Sequence, residues 1–163
     1  MTTHSITLHD FTDISDKKKL MVLNWRNNLN IRHWMYHFDT ISTDEHLSFI
    51  ESLKTDQTKQ YYLVLQDNNP IGVIYFTNMQ DRCAEFGLYA NPHLRGNGKT
   101  LMKTICQYAF TNLKLNKLYA EVFKDNRKAI DLYHYFGLQT IDSKQLNNKN
   151  IICMELKNEN KQL

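Results

Sequence analysis

No stretch of the chain stays apolar for the length that a bilayer crossing demands, and the opening residues Met1 to Asp10 are too polar for the core of a secretory signal. A place in the cytoplasm is the expectation, with no membrane partner. Cysteine is scarce. Cys83, Cys106 and Cys153 are odd in number, widely separated and without a C-x-x-C pair, which argues against a disulfide framework and against a zinc site. His33 and His37 stand four apart with no third ligand in view, so no metal is expected. Neither sign of charge dominates: the net charge is +3, and Lys17-Lys18-Lys19 is the only basic cluster, so nothing marks a nucleic-acid partner. Proline occurs only twice, at Pro70 and Pro92, both in predicted turns. No linker, low-complexity tract or internal repeat divides the chain. The chain does have a hydrophobic fraction of 42%, rich in aromatics, over 163 residues. That is enough to bury roughly two-thirds of the unfolded surface in one domain, expected to span residues 1–163.

The hydrophobic period changes along the chain. Ile6 and Leu8 alternate with polar residues in a first strand, Ser5 to Phe11. Ser15 or Asp16 caps a helix running to about Asn28, and a second helical piece follows from Ile31 to Tyr36. Ser42 and Glu45 form a capping box for a third helix, with His46, Phe49, Ile50 and Leu53 at helical spacing. Strands are predicted over Tyr61–Gln66, Ile71–Asn78 and Cys83–Ala90, with Asp67 to Pro70 as a turn. Then come a helix over Gly98–Asn112, a strand over Leu118–Phe123 and a helix over Asn126–Phe136 ending at Gly137. Strands at Leu138–Ile141 and Ile151–Leu156 close the chain. The order predicts an α/β fold, a mixed sheet flanked by helices.

Between a strand and a helix lies Asn91-Pro92-His93-Leu94-Arg95-Gly96-Asn97-Gly98-Lys99. Two glycines one residue apart let the backbone curl so that successive N–H groups point inward, and together with the following helix N-terminus they form an anion site. A pyrophosphate fits there, aided by Arg95 or Lys99. It is not a Walker A loop, for no G-K-[ST] follows at the required spacing, and the third glycine of a dinucleotide fingerprint is missing. By itself the loop is equally a glycine-rich turn without a ligand.

About thirty residues on comes Asn126-Arg127-Lys128-Ala129-Ile130-Asp131-Leu132-Tyr133-His134-Tyr135-Phe136-Gly137-Leu138. Together the two segments resemble the acetyl-CoA-binding core of GCN5-related N-acetyltransferases, whose loop reads [QR]-x-x-G-x-[GA] and whose later segment reads N-x-x-A-x-x-x-Y-x-x-x-G-[FL]. The likeness covers Tyr61 to Leu156 and departs at His93, where the family has Gln or Arg. It implies a mixed sheet of about seven strands, splayed between strands 4 and 5, and acetyl-CoA as co-substrate. Leu88 and Ala90 would pair through their backbone with the pantetheine arm, and Leu94, Arg95, Gly96, Asn97, Gly98 and Lys99 would hold the pyrophosphate. Asn126 would contact the cofactor, Ala129 would leave it room, and Tyr133 would bring its phenol to the thioester sulfur. Without the motif, Tyr133 reads as a core aromatic beside Ile130.

In Glu85-Phe86-Gly87-Leu88-Tyr89 a carboxylate stands on an otherwise apolar strand, a costly placement unless the charge is used or paired. The resemblance implies a base acting directly or through water; the alternative is a Glu satisfied by a nearby Lys or at an exposed strand end. Trp25-Arg26-Asn27 with Ile31-Arg32-His33-Trp34-Met35, and the stretch Ser42 to Glu51, resemble one subgroup of the family. That subgroup acetylates the 4-amino group of a UDP-linked dideoxy aminosugar on the pseudaminic acid route, a sugar that decorates flagellin. The resemblance implies a nucleotide-sugar acceptor. Arg26 and His46 would meet its diphosphate and Phe49 or Tyr89 would stack on it. Otherwise Arg26 is a residue at a helix end and His46 an ordinary helix-face histidine. Two rivals remain: an acetyltransferase of the kind that acts on ribosomal-protein N-termini, enzymes in which a related W-R-N opening is found, and a CoA-binding module without catalysis.

Overall fold

The computed structural model describes residues 4–159; Met1 to Thr3 of the polar N-terminal stretch lie outside them. Seven strands form one sheet in the order β1-β2-β3-β4-β5-β7-β6. They are β1 (Ile6–Asp10), β2 (Gln60–Gln66), β3 (Asn69–Gln80), β4 (Cys83–Ala90), β5 (Lys117–Phe123), β6 (Gln139–Leu146) and β7 (Lys149–Lys157). Neighbours are antiparallel except β4 and β5, which run parallel. The helices are α1 (Asp16–Asn27), α2 (Leu29–Arg32), α3 (Thr43–Ser52), α4 (Gly98–Gln107) and α5 (Arg127–Tyr135).

The local signals act as the side chains dictate. Ser15 Oγ accepts from Lys18 N at the start of α1, and Ser42 Oγ accepts from Glu45 N at the start of α3. The capping box is altered: the Glu45 carboxylate accepts from the Ser42 hydroxyl at 3.1 Å. The second helical piece begins earlier than its pattern predicts, because the Asn28 side chain caps it at Asn30 N, and α2 ends at Arg32. Pro70 lies inside β3, opposite Leu65 at a register shift. Asp67 and Asn68 alone make the turn, both at positive φ, as a two-residue hairpin requires. The helical run to Asn112 is α4 followed by a π turn, Tyr108–Asn112, in which Leu113 N donates to Tyr108 O. β6 runs five residues beyond its predicted end, because Asn147 and Asn148 take positive φ and fold it back on β7.

Two cores lie on opposite faces of the sheet. On one, Ile74, Phe76, Phe86, Leu118 and Ala120 pack against Leu101, Met102 and Ile105 of α4 and Ile130 and Tyr133 of α5. On the other, Leu63, Leu65, Val73 and Tyr89 pack against Val22 and Trp25 of α1 and Ile50 of α3. Burying each such side chain contributes about 1.5–3 kcal/mol before conformational entropy is set against it.

Candidate active site

The parallel pairing of β4 with β5 covers only Cys83↔Lys117, Ala84↔Leu118 and Glu85↔Tyr119. Beyond Glu85 the two strands part, and Phe86 to Ala90 keep ladder partners on the β3 side alone, Leu88 against Ile74 and Ala90 against Gly72. An open backbone edge thus runs from Glu85 to the glycine loop. There Asn91 Oδ1 accepts from His93 N at 2.9 Å, and Asn91 Nδ2 donates to Pro70 O, tying the turn to β3. Gly96 takes φ +82, which an L side chain resists. Gly98, unlike Gly96, is the first residue of α4, and a Cβ there would meet only Leu132 Cδ2, at 3.5 Å. Its value is therefore open space rather than backbone freedom. Leu101 N donates to Asn97 O, which leaves the N–H groups of Gly98, Lys99 and Thr100 without a helical acceptor. Asn97 makes no side-chain cap either, so α4 presents bare N–H groups at its positive end. His93, Leu94, Arg95 and Lys99 are exposed around them, and Lys99 Nζ lies 4.1 Å above the Tyr135 ring.

Across the parting of the strands, Asn126 Oδ1 accepts from Ala129 N at 3.3 Å and caps α5. That helix brings Tyr133 into the core, its ring edge-on to Phe86 at 5.3 Å. Burial pushes its phenol well above the ordinary tyrosine range, with the nearby Tyr75 adding to the effect. Tyr133 packs beside Ile130, yet it lies where the sheet opens.

The opposite face carries the polar groups. Cross-strand partners share a face, so one row runs Tyr61, Tyr75, Gly87 and the next runs Thr77, Glu85, Tyr119. Glu85 borders a cleft of ≈ 290 Å³ with Asn78, Gln80, Asp81, Cys83, Ala84 and Tyr119. Burial, reinforced by the Glu121 carboxylate, raises its pKa. Glu121, two residues beyond Tyr119 on β5, shares that face. Its Oε2 accepts from Lys144 Nζ and its Oε1 from Tyr36 Oη, each at 2.6 Å. Burial opposes its charge, but those two hydrogen bonds outweigh it and hold the pKa low. The nearby lysine therefore pairs with Glu121, and among the described residues Glu85 forms no ion pair.

The tryptophan-arginine-asparagine stretch has a role that its spacing did not reveal. Trp25 is buried in the core, while its neighbours staple the segment 33–42 in place. Asn27 exchanges two hydrogen bonds with the backbone of Ile41, at 2.7 and 2.9 Å. Arg32 donates to Asn27 O and Phe38 O, and Arg26 Nη2 donates to His37 O at 3.1 Å. Arg26 Nη1 is buried without a partner, and its charge acts on Tyr61, Tyr75 and Tyr89. The stapled segment carries Tyr36 across to β5, where its ring meets Phe123 at 5.5 Å.

His46 packs between α3 and α1. It is 6% exposed, its Nε2 donates to Lys19 O at 2.8 Å, and burial lowers its pKa. The ring ties α3 to α1 through that hydrogen bond, and its lowered pKa makes it a weaker candidate than Arg26 for a diphosphate contact. Tyr89 is also buried, its ring 6.4 Å from that of Tyr75, so it supports the tyrosine row instead of presenting a free face. Phe49 is half-buried, edge-on to Tyr61 at 4.9 Å. Sequence reasoning missed Tyr36, Tyr61, Tyr75, Glu121 and Lys144. Glu121 gave one signal, a carboxylate alternating with Leu118, Ala120 and Val122 as Glu85 alternates with Phe86. The others are joined only by the sheet. Among the described residues no cluster of three or more metal-binding side chains occurs, and no helix is long and apolar enough to cross a membrane.

Residues 24–138 match the model of the acetyltransferase (GNAT) family. The acetyltransferase PseH of Campylobacter jejuni strain 81-176 is 47% identical over 128 residues, 78% of this chain and 81% of that protein. The crystal structure of C. jejuni N-acetyltransferase PseH in complex with acetyl coenzyme A superposes with a TM-score of 0.79 at 37% identity, covering 94% of this chain and 99% of that one. A Vibrio cholerae spermidine N(1)-acetyltransferase is 31% identical over 119 residues, 70% of this chain and 69% of that protein.

Proposed function

Since the chain belongs to the acetyltransferase (GNAT) family, we propose that it carries acetyl from acetyl-CoA to the 4-amino group of a UDP-linked 4-amino-4,6-dideoxy-N-acetyl hexose, UDP-4-amino-4,6-dideoxy-N-acetyl-β-L-altrosamine. The product would serve pseudaminic acid biosynthesis and flagellin glycosylation. The observation that carries this reading is the 47% identity to PseH across most of both chains. The parting of β4 from β5 supports it by leaving an open backbone edge that leads from Glu85, at the border of the polar cleft, to the bare N–H groups of α4.

The bare N–H groups from Gly96 to Thr100 hold the pyrophosphate, with Arg95 and Lys99 beside it. The free edge of β4 at Leu88 and Ala90 pairs with the pantetheine amides and points the thioester at the opening. A backbone N–H near Leu88 or Tyr89 receives the oxyanion that forms as the amine attacks. Glu85 takes the proton that the amine loses, directly or through water, and its raised pKa brings it nearer to neutrality, where a base works best. Tyr133, kept protonated by burial, donates to the leaving thiolate. No covalent enzyme intermediate is needed.

Arg26 is the cation assigned to the acceptor's diphosphate, on the ground that its Nη1 is buried with no partner. Acetyl transfer onto UDP-4-amino-4,6-dideoxy sugars, read by mass beside N-terminal peptides and spermidine, tests the reading. Preference for the nucleotide sugar supports it, and preference for either other amine overturns the acceptor. Spermidine belongs in that panel because of the 31% relative and the carboxylates Glu85 and Glu121 on one face.

A further inference from the structure

Tyr75 stands at the centre of the tyrosine row and no assigned role uses it. It pairs with Gly87 across the β3–β4 ladder, with Glu85 and Tyr89 flanking that glycine on the same face. A Cβ built on Gly87 would fall 2.2 Å from both Cζ and Oη of Tyr75. The phenol end therefore lies directly over Gly87, reaching across β4 toward the edge where β5 has parted. Its ring is held there by Tyr61, stacked at 4.7 Å and 7°, and Tyr61 is braced by Phe49. Among the described residues no protein group hydrogen-bonds the Tyr75 hydroxyl. Tyr133 packs on the other face of the sheet, close enough for its phenol to feel Tyr75.

We propose that the Tyr75 hydroxyl is the group that positions the acceptor amine, its oxygen accepting a hydrogen bond from the amine N–H so that the nitrogen lone pair faces the thioester carbon. Gly87 is then a specificity element of the site, the residue whose missing side chain admits that phenol. The inference rests on the acetyl-transfer reading but not on which amine is the acceptor. Burial keeps the phenol protonated, and its oxygen lone pairs remain free to accept from an amine. Attack geometry alone controls several orders of magnitude in rate, so a lost positioning contact is readable in kcat.

The test is Tyr75→Phe, which keeps the ring and its stack on Tyr61. Kinetics are measured on whichever amine the wild-type enzyme acetylates fastest among nucleotide sugar, spermidine and N-terminal peptide. The expected result is a fall in kcat/KM for the acceptor of about tenfold or more, carried mainly by kcat, with acetyl-CoA affinity and Tm unchanged. Gly87→Ala, whose Cβ would meet the Tyr75 ring as well as its hydroxyl, should displace the phenol and lower kcat in the otherwise wild-type enzyme. Wild-type kcat and KM in Tyr75→Phe overturn the proposal, as does an equal loss of acetyl-CoA affinity, which would make Tyr75 a cofactor contact. Turnover only of peptide or spermidine sinks the nucleotide-sugar reading while still deciding this one, and failure to acetylate any amine sinks both.

Discussion

Gly98 is the loop residue at which folding and the proposed cofactor contact can be tested apart. A side chain at Gly98 finds only Leu132 Cδ2, at 3.5 Å, an ordinary contact, and the residue is helical. Gly98→Ala should therefore leave the fold intact or stabilise it, by at most about 0.5–1 kcal/mol from the helix preference of alanine. Gly98 stands in the first turn of α4, beside the bare N–H groups proposed to hold the pyrophosphate, so an added methyl is expected to crowd that group. Holding that group one methyl further out should cost about 1.4 kcal/mol or more, a tenfold rise in Kd, and Gly98→Val should cost more. Gly96→Ala is the contrasting control. Nothing lies within 4 Å of its Cβ, but its φ of +82 penalises any L residue. That penalty is about 1–2 kcal/mol, a drop in Tm of about 2–8 °C for a chain of this length. Titration calorimetry with acetyl-CoA and thermal melts separate the two effects. Unchanged acetyl-CoA affinity in a folded Gly98→Val protein would refute the placement of the pyrophosphate and with it the loop's role.

Further outcomes follow from the site and the core. Tyr133→Phe should lower kcat by about 10²-fold while sparing acetyl-CoA affinity; unaltered turnover, with chemistry shown to limit the rate, would leave Tyr133 as a packing residue beside Phe86. The rate should rise with pH through a midpoint above the usual carboxylate range, because burial and Glu121 raise the Glu85 pKa; that limb should vanish in Glu85→Gln, and its survival would assign the base elsewhere. Arg26→Ala should raise KM for the sugar nucleotide and leave acetyl-CoA affinity alone; an unchanged KM would remove Arg26 from the diphosphate. His46 has a folded pKa below its unfolded one, so its contribution is present above the unfolded value near 6.5 and is lost as pH falls. Denaturation of wild type and His46→Gln at pH 7.5 and 5.5 should show the wild-type advantage shrinking at the lower pH, and a constant difference would exclude that origin.

The chain by itself determined its elements and its glycine loop, because those rest on local chemistry. Ser15, Ser42 and Asn126 cap the helices that follow them, the alternation of Cys83 to Ala90 places β4, and Gly96 marks the one loop position needing positive φ. Local chemistry also misled at the edges. Asn28 starts α2 sooner than the hydrophobic pattern indicates, Pro70 enters β3 because a register shift spares its missing N–H, and the asparagine pair at 147 and 148 prolongs β6. The polar face proposed to receive the acceptor was assembled only by the tertiary structure. Tyr36, Tyr75, Glu85, Glu121 and Lys144 are spread over more than a hundred residues, and neither spacing nor composition relates them. The sheet order sets β5 beside β4 and β6 beside β7, and so brings the two carboxylates and the lysine to one face. The same holds for His46, whose helical position in sequence fits either a ligand or a core tie. The packing of α3 on α1 gave it the Lys19 carbonyl, and the burial that came with it lowers the pKa of the ring, because an imidazolium loses more hydration than a neutral imidazole.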